Sequence, residues 1–539
     1  MKYLLPKTVV KYDGKIEKCE NLFKEKALQI GLNEPCVTGI YGKSCIVLDF
    51  GKEVSGGVRI LTYAIRGDNR VRIRFGESVG ESCAEIGEKN ATNDHSNRDM
   101  IVCLQQYSDM TFGQTGFRFV RIDFLSDECI IKSVVAAADE ERNYIGKFES
   151  DDLLMNEIWS TAARTLNLCI RNGYIWDGIK RDRLVWIGDI YPELKAAYSL
   201  FGNIEEIKNS LVFCRDQTAK GVWMNGIPSY SAWWLINLCE YYFYSGDRAF
   251  VIESREFIER ILNDLAACVD ENGDVEFSYY FIDWATHHEV SGQDTEEDLI
   301  KKADERTGTN FLLRMTFMKI IPLLKEFGMD AENAEQKLKW LCKKKYWVEK
   351  YKQIAALGVL TGEQNEGNEK VLLSGGAKGL TTFLNYFIFT ALEKYGRHSE
   401  VLEMIKSYYG KMIELGATTF WEDFDIDWAE NACKIDKYPD KNKKDIHGDF
   451  GRFCYKGYRH SLCHGWSSGV LAYMSENILG IRKTGCNEYS VKPNLNGFNK
   501  LKGAYPTPYG EIVVECERLS DGTLKIKVNA PSEIKIIRE

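Results

Sequence analysis

Two acid-rich segments hold the residues best suited to chemistry. WDGIKRDRLVWIGD, residues 176–189, sets Asp177, Asp182 and Asp189 beside Lys180, Arg181 and Arg183, with Trp176 and Trp186 among them. LGATTFWEDFDIDW, residues 415–428, puts Glu422 directly after Trp421 and amid Asp423, Asp425 and Asp427. Cleaving a glycosidic bond takes two carboxyl groups in different environments, one protonated to donate to the leaving oxygen, the other ionised to activate water or attack the sugar. Neighbouring arginines and burial can drive two such pKa values apart. Indole and phenol rings offer flat apolar faces to the C–H side of a sugar while acids bind its hydroxyls, so an acid next to a tryptophan suits a saccharide pocket. The competing reading keeps the acids as helix caps or a solvated edge paired with the arginines, and the tryptophans as core plugs.

Further candidates are WMNGIPSYSAWW (residues 223–234, ending in Trp234), FIDW (281–284, ending in Trp284) and SLCHGWSSG (461–469), in which His464 is placed to donate to a bound hydroxyl or orient a carboxylate. The doublet His287-His288, near Asp283 and Glu289, lacks H-E-x-x-H spacing, so no metal is expected. SGGAKG (374–379) lacks the G-K-[ST] ending of a phosphate loop, and no dinucleotide fingerprint follows a strand; no cofactor is expected.

The broader composition narrows the partners. Seventy basic against 79 acidic residues leave a formal charge of -9, which repels nucleic acid and anionic membranes and favours a neutral partner such as a carbohydrate. Sixteen cysteines without a C-x-x-C pair read as reduced thiols packed as small hydrophobes. Pro6 and Lys7 interrupt the N-terminal apolar stretch before it reaches signal-peptide length, and no window supplies about 18 consecutive apolar residues. The expected location is the cytoplasm. Soluble enzymes of this size are commonly homodimers, so a homodimer is a possible assembly on that prior alone, which no residue here adds to.

At roughly 150 residues per domain, 539 residues suggest three or four units. All twelve tryptophans fall between Trp159 and Trp466, dividing the chain by composition. Before that zone, VRIRF (71–75) and VRIDF (120–124) alternate with the period of half-buried strands, and Gly56-Gly57 and Gly113 suit turns between strands. Within it, Leu154, Ile158, Ala162 and Leu166 step by four, and Leu380, Phe383, Leu384 and Phe387 follow helical spacing up to a stop at Gly396. Some eleven or twelve helices would suit a closed ring of antiparallel pairs. LKIKV (524–528) and IKI (534–536) return to strands. The expected domains are a β-sandwich at 1–147, an (α/α)6 barrel at 148–481 and a second β-sandwich at 482–539.

Residues 177–189 resemble the signature of bacterial α-L-rhamnosidases, D-C-P-x-R-E-R-L-G-W-x-G-D, with Asp177, Arg181, Arg183, Leu184, Trp186, Gly188 and Asp189 in register. ATTFWE (417–422) is similar to that family's A-T-T-x-W-E block and SLCHGWSSG to its S-x-x-H-x-x-x-G-S segment. DFGKEVSGGVRI, TGFRFVRI, KPNLNG and TPYGEI look like segments of its β-domains. The resemblance implies an inverting glycoside hydrolase with an (α/α)6 barrel between β-sandwiches, releasing terminal L-rhamnose or a related sugar from oligosaccharides or glycosides. It places the general acid at Asp182 and the general base at Glu422. Asp177, Arg181, Trp186 and Asp189 take sugar-binding positions, joined by Trp234, Trp284, Trp421 and His464. Inversion needs the two carboxyl groups roughly 6.5–9.5 Å apart.

The sequence departs from the pattern in three places: Asp182 is one methylene shorter than glutamate, Gly178-Ile179 replaces Cys-Pro, and Val185 replaces glycine. A Lys- and Asp-rich insertion, residues 434–445, reads as a surface loop bordering the pocket. Two other readings remain: the same barrel acting on another glycoside, such as a uronic acid held by Lys180, Arg181 or Arg183, and a carbohydrate-binding protein without turnover.

Overall fold

The computed structural model describes residues 1–288, 295–453 and 455–537; Glu289 lies outside them. The chain is multidomain, sheet-rich at both ends and helical between. VRIRF lies in the strand Arg70–Gly76 and VRIDF in Ser108–Phe124, and their alternation places Val71, Ile73, Phe75, Val120, Ile122 and Phe124 in one buried core. The seven-stranded sheet runs in the order Lys2–Leu4, Glu128–Ala138, Thr38–Arg66, Ser108–Phe124, Arg70–Gly76, Asp99–Cys103, with Thr8–Glu17 paired to Thr38–Arg66. The long strand Thr38–Arg66 meets Glu128–Ala138 twice: both Ile40 and Ile65 stand opposite Cys129, so the sheet curls back on itself.

Gly56, Gly57 and Gly113 are not turns. They lie inside those strands at a shift in register. A Cβ on Gly56 would fall 2.2 Å from the Ala137 carbonyl oxygen and one on Gly57 2.3 Å from that of Gly113, so glycine is required where neighbouring backbones close up at a bulge.

The period-four run from Leu154 to Leu166 lies on the helix Leu153–Cys169, whose first turn is capped by Asp152 accepting the Met155 N–H at 3.1 Å. The run at 380–387 becomes helical only from Asn385, because the Asn385 side chain turns back to accept the Thr381 N–H at 3.2 Å and holds the preceding residues in turns. Six helices, Ile190–Leu200, Pro228–Ser245, Glu296–Glu326, Lys352–Leu360, Asn385–Glu393 and Gly469–Tyr473, each pack on the next, and the last packs on the first. Every residue of Ile190–Leu200 is buried, as a helix enclosed on all sides requires. Leu153–Cys169, Glu205–Gln217, Arg255–Ala267, Glu332–Lys343, Glu366–Leu373 and His398–Glu414 each pack on a member of that ring.

After the ring, Leu524–Asn529, Gly510–Arg518 and Lys500–Thr507 form a sheet whose fourth strand is Lys147–Ser150, from just before the first ring-side helix. The two ends of the helical portion are thereby tied together. Among the described residues no helix is long and apolar enough to cross a membrane.

Candidate active site

The candidate residues gather where the ring helices begin. Residues 176–189 run irregularly into the start of Ile190–Leu200, and residues 461–468 lead into Gly469–Tyr473. The two segments lie side by side: Gly178 bridges His464, and the Gly465 N–H donates to the Asp177 carbonyl at 2.7 Å. A Cβ on Gly178 would stand 3.1 Å from the Cys463 carbonyl oxygen, so glycine at this departure from the family pattern permits close approach. The left-handed backbone falls elsewhere, on Asp182 (φ +53°) and Arg183 (φ +52°). Consecutive non-glycine residues in that region are uncommon, and such strain clusters at functional sites.

Arg181 organises the centre. Its Nη1 lies 3.0 Å from Asp182 Oδ1, its Nη2 donates to Glu422 Oε2, and its Nε donates to the Arg459 carbonyl at 2.6 Å. The Tyr455 ring lies 3.9 Å from the guanidinium carbon. Glu422 is pinned on all sides. Its N–H donates to the Ser461 carbonyl (3.0 Å), its Oε2 accepts the Ser461 N–H (3.1 Å), and its own carbonyl accepts Trp466 Nε1 (2.9 Å) and Thr382 Oγ1 (2.5 Å). Burial opposes the charge on Glu422, but Arg181, with His464 and His460, outweighs it and holds the carboxyl at about 2.

The neighbouring acids behave oppositely. Burial pushes Asp177 and Asp189 well above the usual carboxylate range, reinforced by the other acids around them. Asp177 Oδ1 accepts the Leu184 N–H at 2.9 Å, and Asp189 Oδ1 accepts the Tyr230 hydroxyl at 2.9 Å. His464 Nε2 stands 3.8 Å from Glu422 Oε1 and 4.0 Å from Asp189 Oδ2, beyond direct hydrogen bonding, and burial lowers its pKa to about 4. The centre therefore sets Glu422, held low by its cation, and Asp182 on one guanidinium, beside two carboxyls that burial pushes toward the acid form and an imidazole that burial disfavours charging.

Trp186, partly buried, meets Tyr230 edge-on at 6.1 Å, and Trp284 packs against Tyr455 at 5.6 Å. Trp421 is enclosed beside Phe424 at 5.4 Å, anchoring the Glu422 loop. Trp234 requires a correction. It is fully buried away from these residues, its indole N–H donating to the Leu211 carbonyl at 3.0 Å and its ring against Phe257 at 4.7 Å, because its face of Pro228–Ser245 meets the outer helices. Lys180 and Arg181 also face protein carboxylates, and Arg183 donates to the Gln114 carbonyl at 2.9 Å; all three cations proposed to receive a uronate are engaged within the protein.

Sequence reasoning missed several partners. His95 Nε2 lies 3.3 Å from Asp182 Oδ1, and the Tyr455 hydroxyl donates to Asp182 Oδ2 at 3.4 Å. Glu193, one turn into Ile190–Leu200, is fully buried with neither oxygen partnered among the described residues, and burial, with Asp189 and Asp177 nearby, pushes its pKa well above the usual carboxylate range. Gly465 leaves it room, since a Cβ there would fall 1.8 Å from Glu193 Oε1. Only its place in an apolar helical run hinted at enclosure.

The segment that follows the strand Arg70–Gly76 reaches this site. Lys180 Nζ stands 3.0 Å from Glu77 Oε2 and 3.2 Å from Glu81 Oε1, and Leu462 N–H donates to Glu77 Oε2 at 2.6 Å. Glu77, Glu81 and His447 offer donor atoms within 4.8 Å of one another, but Lys180 already supplies their cation. The insertion at 434–445 meets the same segment and the turn at 457–459: the Val79 N–H donates to the Ile435 carbonyl at 2.9 Å, and Tyr458 donates to Asp445 at 2.5 Å.

Comparison with known proteins agrees with this architecture. Residues 143–357 match the bacterial alpha-L-rhamnosidase six-hairpin glycosidase domain, and residues 41–138 match the bacterial alpha-L-rhamnosidase concanavalin-like domain. The chain belongs to the bacterial α-L-rhamnosidase family, a family of glycoside hydrolases. No curated protein matches it. Among solved structures, the GH78 family rhamnosidase of Bacillus sp. GL1 superposes with a TM-score of 0.74 at 19% identity, covering 96% of this chain and 55% of that one. The alpha-L-rhamnosidase of Dictyoglumus thermophilum gives 0.67 at 19%, covering 91% and 56%. The Klebsiella oxytoca rhamnosidase with rhamnose bound gives 0.64 at 18%, covering 88% and 95%. The chain thus spans little more than half the length of the first two.

Proposed function

We propose that the protein is an inverting exo-glycosidase that releases terminal L-rhamnose, or a closely related sugar, from short oligosaccharides or glycosides. The observation that carries this reading is the single buried guanidinium of Arg181 shared between Asp182 and Glu422, with Asp177, Asp189, Trp186 and His464 around it. The closed cycle of six helices with six more packed outside supports an (α/α)6 barrel, flanked by a β-sandwich at 1–147 and a smaller one at 482–539.

Glu422, ionised at neutral pH, accepts a proton from the attacking water, and Asp182 is the group that donates to the glycosidic oxygen. Asp177 and Asp189, in which burial favours the acid form, hydrogen-bond ring hydroxyls. His464 stands just beyond hydrogen-bond reach of Glu422 and Asp189, so a hydroxyl or water to one side of them can be shared with either carboxyl. Trp186 supplies an apolar face for the sugar's C–H side.

The test is release of nitrophenol from aryl α-L-rhamnopyranoside by wild type, Asp182→Asn and Glu422→Gln, with proton NMR of the first anomer formed. Each carboxamide is expected to lower kcat by about 10²–10⁴, with the β-anomer of L-rhamnose appearing first. Retention of configuration, or an active Glu422→Gln variant, rejects the assignment.

A further inference from the structure

The connection between the strands Arg70–Gly76 and Asp99–Cys103 brings an imidazole to Asp182. His95 Nε2 lies 3.3 Å from Asp182 Oδ1, just outside the roughly 2.6–3.2 Å of a formed proton-transfer contact, which commonly tightens when substrate binds. The two side chains differ in access: that of Asp182 is 8% exposed and that of His95 34%. His95 thus links an enclosed acid to solvent. Both residues have left-handed backbone, φ +65° at His95 and +53° at Asp182, a conformation that residues other than glycine keep only where their surroundings hold them to it.

The surroundings do so on both sides of His95. Asp94 Oδ2 accepts Arg459 Nε at 2.9 Å, and the Arg459 carbonyl accepts Arg181 Nε at 2.6 Å; Ser96 Oγ donates to the Lys180 carbonyl at 2.9 Å. The residues before and after the imidazole are therefore tied to the two segments that border Arg181, which sets the ring beside the carboxyl that Arg181 also holds. Asp94 Oδ2 is 3.7 Å from the same His95 nitrogen, but that oxygen already faces Arg459, with Nη2 at 2.8 Å. Arg181 Nη1 at 3.0 Å, the Tyr455 hydroxyl at 3.4 Å and His95 all meet the Asp182 carboxyl. A guanidinium cannot release a proton in a protein and a phenol does so only near about pH 10, whereas an imidazole exchanges its proton around neutral pH.

We infer that His95 is a positioning residue for the general acid: it holds the Asp182 carboxyl and replaces the proton that the carboxyl gives up. The inference rests on the assignment of Asp182 as the acid, and it adds a residue from outside the helical ring to the acid's machinery. As the glycosidic bond breaks, the Asp182 O–H proton passes to the leaving oxygen, which departs as an alcohol. The Nε2–H proton of a protonated His95 then passes to the carboxylate left behind and restores the acid, and the neutral imidazole takes a proton from solvent. Solvent in turn receives the proton that Glu422 took from the attacking water, so the cycle consumes none.

The experiment measures kcat and KM on phenyl and 2,4-dinitrophenyl α-L-rhamnopyranoside for wild type, Asp182→Asn, His95→Gln and His95→Ala. Dinitrophenolate departs without a proton and phenolate departs poorly without one, so a residue that serves the acid matters chiefly for the phenyl glycoside. Asp182→Asn should lose about 10²–10⁴ in kcat on the phenyl glycoside and far less on the other, which establishes the acid independently. His95→Gln should lose about tenfold on the phenyl glycoside, a part of that whole contribution, with KM and the dinitrophenyl rate close to wild type. Imidazole added to His95→Ala should restore part of the phenyl rate and leave the dinitrophenyl rate unchanged. Because both glycosides are read on the same variant, a loss of folded protein cancels. A His95→Gln loss equal on the two glycosides, no loss on either, or a His95→Ala rate that imidazole does not raise overturns the inference while the Asp182 pattern stands. If Asp182→Asn shows no dependence on the leaving group, the acid assignment fails; if wild type turns over neither rhamnoside, the proposed function fails; in both cases the inference falls with it.

Discussion

Replacing Lys180 by methionine tests the joint between the N-terminal sheet and the helical ring. The Lys180 side chain is 2% exposed and its ammonium stands 3.0 Å from Glu77 and 3.2 Å from Glu81, while the carbonyls of Tyr458 (2.9 Å) and His460 also accept from it. Methionine keeps most of the volume and removes the charge, leaving two enclosed carboxyl groups together. Arg98, 2.6 Å from Glu81 Oε1, compensates one of them. Removing one partner of a buried ion pair costs roughly 3–5 kcal/mol, which is the loss expected from urea unfolding at pH 7.

The pH dependence has a definite sign. Burial pushes Glu77 up to about 7, against the pull of Lys180 and the Leu462 N–H. A carboxyl raised in the folded state lowers stability as pH climbs from its unfolded value to its folded one, and the loss then levels off. In wild type this levelling comes near pH 7. In Lys180→Met, Glu77 is raised further, so stability keeps falling by up to about 1.4 kcal/mol per pH unit above 7. The gap between the proteins therefore widens from pH 7 to 8, and Lys180→Met combined with Glu77→Gln should remove the slope and regain part of the loss. A single-variant loss below about 1 kcal/mol, or a gap independent of pH, refutes the reasoning.

Two further outcomes are expected. Burial holds His460 at about 3 and His464 at about 4, below the ordinary 6.5, so the unfolded chain binds more protons between those values. Stability should fall as pH drops below 6.5, by up to about 1.4 kcal/mol per pH unit for each ring, and His460→Gln should flatten the pH dependence of the urea midpoint; an unchanged dependence rejects this. Trp234→Ala should cost about 3–5 kcal/mol of stability with little change in KM, whereas Trp186→Ala should raise KM with a smaller stability loss. Urea melts and steady-state kinetics on both variants decide it, and the reverse pattern would return Trp234 to the sugar site.

The polar centre was legible because its residues are local. Asp177, Arg181, Asp182 and Asp189 share one segment, and Glu422 sits in a second whose composition is equally unusual. Strand alternation at 71–75 and 120–124 and the period-four run at 154–166 were legible for the same reason: each is a pattern over a few residues that tertiary packing then obeys. Trp234 was misread because an aromatic beside polar residues looks the same whether its helix face meets solvent, a ligand or an outer helix. Gly56-Gly57 was misread because glycine serves turns and close approaches alike. His95 and Tyr455 left no signal, since each is far in sequence from Asp182 and neither lies in either of the two acid-rich segments.

Those missed residues change how the site is held. Asp182 lies in an irregular stretch with left-handed backbone, and the segment 459–464 that pins Glu422 is also without long regular structure. Helix packing alone does not fix such loops. The sheet and the loops at its edge do so from outside: Ser96 Oγ (2.9 Å) and Thr115 Oγ1 (3.2 Å) donate to the Lys180 carbonyl, Arg459 donates to Asp94 at 2.9 Å, and Glu77 accepts the Leu462 N–H. These contacts reach Lys180, next to Arg181; Arg459, whose carbonyl accepts from Arg181; and Leu462, two residues before His464. If the proposed chemistry holds, the N-terminal sheet is a structural part of the active site, because the shared guanidinium between Asp182 and Glu422 keeps its geometry only while both flanking segments are tied to it.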